Sequence, residues 1–515
     1  MLKQGVLSFS YECQPTQSGM TALAGLPAYL EMAAVAKLPD SLQRHLGGCH
    51  LKQQGWTDTQ IVLSLILLNI AGGDCVDDLR ILENDEGLVK IIQRVGFTGH
   101  PRKERREQAR RWRKECRRNF PSPSVVFRYL KHFVNLEEEQ KRIMGKAFIP
   151  APNAAMEALG RVNPDLLSFA QKHHPQTEAT LEMDASIVET SKQDALYSYQ
   201  GSQSYQPLSV RWAEQKLLAY SEFRDGNVPA GYRNLEVLQR TIEALPAGVQ
   251  KVNFRSDTAA YQQELLRYCA KGENKRFGVI EFAVGVDVTA EFRKAVAEVA
   301  EGDWQSLKRE IDGRLVETGQ EWAEVCFVPE WTATSKNGPA YRFIAVRELL
   351  HQQSLPGMEV QLPFPTYYRG TQHYKLHGLV TNRDLAGDEL IWWYRERCGK
   401  GEEMHAVMKN DLAGGQFPAA QFGANAAWWQ IMILAFNLNS LMQSLALPES
   451  WSSKRLKALR FGLINQAGRV VRHSHQMFIR LSHNNPVYLI LYGLRQRLRE
   501  LQRAGNHAVR EPNTA

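Results

Sequence analysis

Residues 251–288, KVNFRSDTAAYQQELLRYCAKGENKRFGVIEFAVGVDV, carry the fold in miniature. KVNFRS reads as a strand ending at Asp257, AAYQQELLRYCAKG as a helix stopped by a glycine, and FGVIEFAVGVDV as a second strand. A strand, a helix and a further strand in this order imply parallel pairing in an α/β unit. Working backward, ATLEMDAS alternates Ala179, Leu181 and Met183 on one face with Thr180, Glu182 and Asp184 on the other. PLSVRWAEQKLLAYSEFRDGN reads as a strand or hairpin ending in an Asp-Gly-Asn turn, and YRNLEVLQRTIEAL as an amphipathic helix.

Further out the texture changes. Residues 20–150 read as helical, with GWTDTQIVLSLILLNIAGGDCVDDLRILENDEGLVKII giving an apolar helix, a Gly-Gly break and an amphipathic run. Its acidic residues Asp74, Asp77, Asp78, Asp85 and Glu86 suit helix caps and solvated faces better than a metal site. FIPAPNAAMEALG reads as a linker. Residues 290–380 read as a mainly β insertion with Pro- and Gly-rich joints, and from 394 the chain reads as helical almost to its end.

The 515 residues exceed one ordinary core and imply roughly two to four domains. Hydrophobic content of 43% with 23% charged residues fits a soluble globular protein. The seven cysteines are scattered and never spaced C-x-x-C, which suits reduced thiols and no zinc cluster. The first residues lack the apolar core of a signal peptide, and the runs IVLSLILLNIAGG and WWQIMILAFNLNSLM suit buried helices rather than membrane spans. A cytoplasmic protein is expected.

Charge is uneven. Residues 101–120 hold ten Lys and Arg against three Glu, and residues 451–515 hold twelve against two. One such block fits a solvated face as well as a phosphate-binding one; two favour nucleic acid, because each phosphate neutralised releases condensed counterions. Arg110, Arg111, Arg113 and Lys114 lie in the first block. PSPSVVFRYLKHF follows it, a short helix after a turn that carries Arg128 and is suited to a helix-turn-helix.

Chemistry is expected where strands end. Asp184 and Asp257 close two strands of one sheet, and ligand sites in open α/β sheets lie at the carboxyl ends of strands. Singly, either aspartate also serves as a turn or helix cap. Joined by a carboxylate from a later helix, the two can hold two divalent cations.

The stretch YRERCGKGEEMHAVMKNDL, residues 394–412, offers that carboxylate. Glu402 and Lys409 stand about two turns and roughly 10 Å apart on one helix face. A salt bridge prefers a spacing of about three or four. A metal-bound carboxylate followed by a phosphate-gripping cation accounts for the longer spacing; on spacing alone a solvated helix does so equally. Tyr394 and Arg397 just before would supply a stacking or hydrogen-bonding group and a bidentate phosphate clamp. His405 reads as a support to the ligands, and Trp392 and Trp393 as packing rather than base stacking.

Tyr394-x-x-Arg397, Glu402 and Lys409 together resemble the Y-R-E-K signature of the DDE transposases of bacterial insertion sequences. VNFRSDTAAYQQELLRYC, LVTN, WWYRERCGKGEEMHAVMKNDLAGGQFP, FGANAAWWQIMILAFNLN and LLNIAGGDCVDDLRILENDEG look like the insertion-sequence thirteen-eighty group in particular, over most of residues 60–480. The resemblance implies an α/β protein with an RNase H-like core. That core would span 151–289 and 381–447 around a β-rich insertion at 290–380. A helical, basic DNA-binding region would occupy 1–150 and a basic helical region 448–515.

By the same resemblance Asp184, Asp257 and Glu402 are the catalytic, metal-binding carboxylates, while Tyr394, Arg397 and Lys409 contact the DNA backbone. Four residues rather than the superfamily's three separate Arg397 from Glu402, which leaves Glu403 as an alternative; Glu402 has the fitting distance to Lys409. Two Mg²⁺ ions, for which Mn²⁺ can substitute, are implied. So are double-stranded DNA as partner, a homodimer or higher oligomer on it, and no membrane. The activity implied is cleavage at terminal inverted repeats and joining of the 3′-hydroxyls to target DNA. A catalytically silent DNA-binding relic and an RNase H-like nuclease without strand transfer are the competing readings.

Overall fold

The structure, a computed structural model, describes residues 18–49, 55–95, 118–333, 341–350, 362–474 and 476–507. Helices fill the N-terminal part after a short strand, β1 (Met20–Thr21). Helix Asp58–Ala71 starts at a capping box between Thr57 and Gln60 and stops at Gly72, whose φ of 97° suits glycine. Apolar on all sides, it is buried on all sides. The acidic cluster caps backbone as expected: Asp78 accepts the N–H groups of Asp74 and Cys75, and Asp85 those of Ala22 and Leu88.

The middle of the chain contributes β2 (Glu178–Ala185), β3 (Val188–Glu189), β4 (Ser204–Tyr205), β5 (Leu208–Trp212), β6 (Leu217–Glu222), β7 (Lys251–Ser256) and β8 (Glu281–Val286). It continues with β9 (Gln305–Ile311), β10 (Arg314–Val325), β11 (Arg342–Leu349), β12 (Thr366–Arg369) and β13 (Gln372–Thr381). Ten of these form one sheet in the order β6-β5-β2-β7-β8-β13-β11-β10-β9, with β12 paired to β13. The strands β2, β7 and β8 run parallel, and the other pairs are antiparallel. Between β7 and β8, helix Gln263–Lys271 ends at Gly272, as residues 251–288 suggest. The β-rich stretch adds its strands to this same sheet, since β13 pairs directly with β8.

Helix Phe422–Leu441 joins the layers, touching β6 on one side and the N-terminal helices on the other. It is buried almost throughout and satisfies its polar groups internally. Asn437, for example, accepts the Leu218 N–H and donates to the Leu218 carbonyl, both at 2.8 Å. The WWQIMILAFNLNSLM run is thus a core helix. Among the described residues no single helix is long and apolar enough to cross a membrane.

Two expectations need correction. The linker at FIPAPNAAMEALG holds a helix, Ala154–Gly160, whose first turn Asn153 caps at 2.9 Å. Prolines 150 and 152 precede the helix and do not interrupt it. The C-terminal part is not helical almost throughout either, because β14 (Gly468–His473) and β15 (Gln476–Arg480) form an antiparallel hairpin that pairs with β1. Gly468 and Val470 are buried while Arg469 is exposed, the alternation of a half-buried strand.

Candidate active site

β2 and β7 lie side by side, and the last pair in their parallel register is Met183 with Ser256. One residue further along each strand come Asp184 and Asp257, so the ladder itself sets the two carboxylates beside one another. Asp257 Oδ1 accepts the Ala259 N–H at 3.0 Å and caps the short turn Thr258–Ala260. Burial pushes its carboxyl above the usual range, the Asp184 charge adds to this, and Arg397 opposes it.

Two residues before each aspartate, on the same face, Glu182 pairs in register with Arg255 on β7 and with Arg211 on β5. Arg211 Nη1 donates to Glu182 Oε2 at 2.6 Å, and Arg255 Nη2 donates to Oε1 at 2.7 Å. All three side chains are buried. Arg255 also reaches Glu396 at 3.0 Å and the Trp393 carbonyl, which anchors helix Gly387–Arg395 over the sheet. Reading the sequence missed this triad. Its trace there is a charged residue two positions before each aspartate.

Tyr394 lies in the last turn of that helix with only 4% of its surface exposed. Its hydroxyl lies against Gly285 of β8, where a β-carbon would come within 3.3 Å, and burial pushes the hydroxyl pKa up to about 12. The Arg397 guanidinium lies 5.7 Å from the Tyr394 ring centroid, and its Nη2 is 3.9 Å from Asp184 Oδ1. Burial works against the Arg397 charge, but Tyr394, Asp184 and Asp257 outweigh it and hold the pKa up. The expected packing of the tryptophan pair holds: Trp392 Nε1 donates to the Lys308 carbonyl at 2.7 Å, and Trp393 lies between Arg255 and Arg383.

Gly399, at φ 76°, turns the chain into helix Lys400–Ala406. This break separates Arg397 from the helix that carries Glu402. Beyond Ala406 the helix widens into a π-turn, Val407–Asp411. Three positions four apart face the end of β2. Gly401 backs onto Asp184, His405 Nε2 lies 3.2 Å from Asp184 Oδ2, and Lys409 Nζ donates to the Ile187 carbonyl. Burial lowers the Lys409 pKa against the pull of Asp184 and Glu189.

Glu402 and Glu403 are both exposed. On helical geometry Glu402 sits about 80° around from the midline of Gly401 and His405, and Glu403 about 180°. Among the described residues no group of three or more His, Cys, Asp or Glu side chains is arranged to hold a metal ion. The structure therefore brings Asp184 and Asp257 together, adds His405, and leaves the Glu402 side chain outside the cluster. Arg128 is exposed on helix Pro123–Leu130, with Nε donating to the Ser124 carbonyl at 3.3 Å. Arg110, Arg111, Arg113 and Lys114 lie outside the described residues.

No curated protein matches the chain. Among solved structures it is similar to the piggyBac transposase in a cryo-EM structure of its synaptic complex with hairpin DNA. The identity is 10% and the TM-score 0.38, over 97% of this chain and 89% of that one. A protein-family model described as transposase DDE domain group 1 matches residues 17–503. With nearly its whole length matched, the chain belongs to the DDE transposase family.

Proposed function

We propose that the chain is the transposase of a bacterial insertion sequence of the thirteen-eighty group. It binds the terminal inverted repeats of its element, cuts there, and joins the freed 3′-hydroxyls to target DNA. The observation that carries this reading is the register-set pair Asp184 and Asp257 beneath the helix of Glu402, His405 and Lys409. The three parallel strands with an antiparallel hairpin beside them suit an RNase H-like core, interrupted by the β-rich stretch before the glutamate.

The donor set fits a divalent cation. Burial first, and then the neighbouring Asp184 charge, disfavours the Asp257 carboxylate, and a divalent cation held there would offset both. Mg²⁺ would be held by Asp184 and Asp257, and Glu402, exposed and outside the cluster in this structure, would have to turn in to join them, with Mn²⁺ able to substitute. When bound, the metal pair activates the attacking oxygen and stabilises the leaving one in an in-line displacement at phosphorus. The position of Glu402 nearer the Asp184 seam favours it over Glu403.

The protein's own groups orient the substrate. Arg397, kept charged between the two aspartates, suits a bidentate grip on a phosphate. Tyr394 supports it from below, and Lys409 adds an ammonium at the strand end. In the first step water attacks the phosphorus and the 3′-oxygen leaves; in the second that 3′-hydroxyl attacks target DNA and displaces a target 3′-oxygen.

The test is a strand-transfer assay on the inverted repeats of the element, with and without Mg²⁺. Metal-dependent recombinant products are expected. Cleavage without joining would point to a nuclease, and binding without cleavage to a silent relic serving as a DNA-binding regulator. The assembly on DNA, a homodimer or larger, is read from the mass of the end complex.

A further inference from the structure

The β14–β15 hairpin has no part in the catalytic reading. On its outer face Arg469 stands directly opposite Arg480, Val471 opposite Phe478, and His473 opposite Gln476. Both arginines, His473 and Gln476 are exposed, and Phe478 is 43% exposed. The inner face is held at Val470, while Ile479 opposite it is 36% exposed. Val470 is buried, its N–H donates to the Gly19 carbonyl at 2.7 Å, and helix Glu86–Val95 packs against β14.

Like charges facing each other across an antiparallel pair weaken it, because the two β-carbons stand only about 5 Å apart. Among the described residues no carboxylate relieves this pair: Arg469 donates to the Ser18 carbonyl at 3.4 Å, and Arg472 and Arg480 form no ion pair. Three other cations of the same basic block are occupied internally. Arg495 pairs with Glu31 at 2.7 Å, Arg497 with Glu500 at 3.0 Å, and Arg455 with Asp411 at 3.0 Å. The two facing arginines of the ribbon are thus left without a carboxylate among the described residues.

We propose that this ribbon is a clamp for the backbone of duplex DNA. Arg469 and Arg480 each take a phosphate, and Phe478 with Val471 form an apolar rung beside them. The charge complementarity is with phosphates, and a two-stranded ribbon has the width that a DNA groove accepts. The inference rests on the transposase reading and adds a contact surface away from Asp184 and Asp257.

The experiment uses the full chain carrying Arg469→Gln and Arg480→Gln together, with fluorescence anisotropy on an inverted-repeat duplex and a random duplex across a salt series. The slope of log affinity against log salt should become shallower by about 1.8, so the loss of affinity between about 50 and about 200 mM salt shrinks roughly tenfold. Both duplexes should weaken alike, since phosphate contacts carry no sequence information. The Arg469→Lys, Arg480→Lys chain should keep the slope, and Arg495→Gln should leave it unchanged. An unaltered slope in the glutamine variant overturns the clamp while wild-type preference for the inverted repeat still stands. Loss of that preference in the wild-type chain would instead count against the transposase reading.

Discussion

Asp184 has two cationic or donor neighbours, His405 and Arg397, and one anionic neighbour, Asp257. An arrangement of this kind depends on the carboxylate charge more than on its shape. Asp184→Asn, Asp257→Asn and Glu402→Gln should each lower end cleavage more than about 10³-fold while inverted-repeat binding persists. Glu403→Gln should stay within a few-fold of wild type; activity kept in Glu402→Gln and lost in Glu403→Gln would reverse the assignment. Asp257→Asn has a second readout. It removes a buried charge that its neighbour repels, so without metal its thermal midpoint should match or exceed wild type. His405 positions Asp184, and its buried Nδ1 has no hydrogen-bond partner. His405→Ala should weaken Mn²⁺ binding, followed by electron paramagnetic resonance, about 10- to 100-fold. His405→Gln, which retains an N–H, should recover part of the loss. Equal binding in all three chains would leave His405 as packing alone.

Within the sheet, the Arg211–Glu182–Arg255 rung lies just behind the two aspartates and ties three strands together. Glu182→Gln leaves the buried Arg211 without a counter-charge and Arg255 with only the exposed Glu396, and urea unfolding should show a loss of about 3–5 kcal/mol. A loss below about 1 kcal/mol would mean that water reaches the rung. This network also shows where reading the sequence stops. The strands and helix of residues 251–288 were legible because their patterns are local, and so was the placing of Asp184 and Asp257 at strand ends. The rung depends on register between strands about 70 positions apart, which no local pattern encodes. The β14–β15 hairpin was hidden by its arginines, which read as part of a charge block although Gly468 and Val470 alternate inward. For Glu402 the spacing to Lys409 was legible. Its facing was not, because the π-turn and Gly399 reset the helix phase.

Across the whole molecule, the basic run at 101–118 calls for a test of its own. Replacing Arg110, Arg111, Arg113 and Lys114 with Ala should flatten the salt dependence of DNA binding by up to about 3.6 in slope and weaken cognate and random duplexes alike. Arg128→Ala should instead reduce the preference for inverted-repeat ends. An unchanged slope in the first variant would mark that run as a solvated face. The molecule is also closed by contacts between its distant ends. Met20 and Thr21 pair with Arg469 and Gly468, while Arg460 donates to the carbonyls of Asn69, Ile70 and Asp411. On a ribosome adding about 5–20 residues per second, the first of these strands waits on the order of half a minute for its partner. Until residue 460 emerges, the segment carrying Lys409 lacks the fork that holds it to the N-terminal helices. Synthesis itself therefore sets the order of events, and the segment carrying Lys409 is tied to the N-terminal helices only after Arg460 has been made.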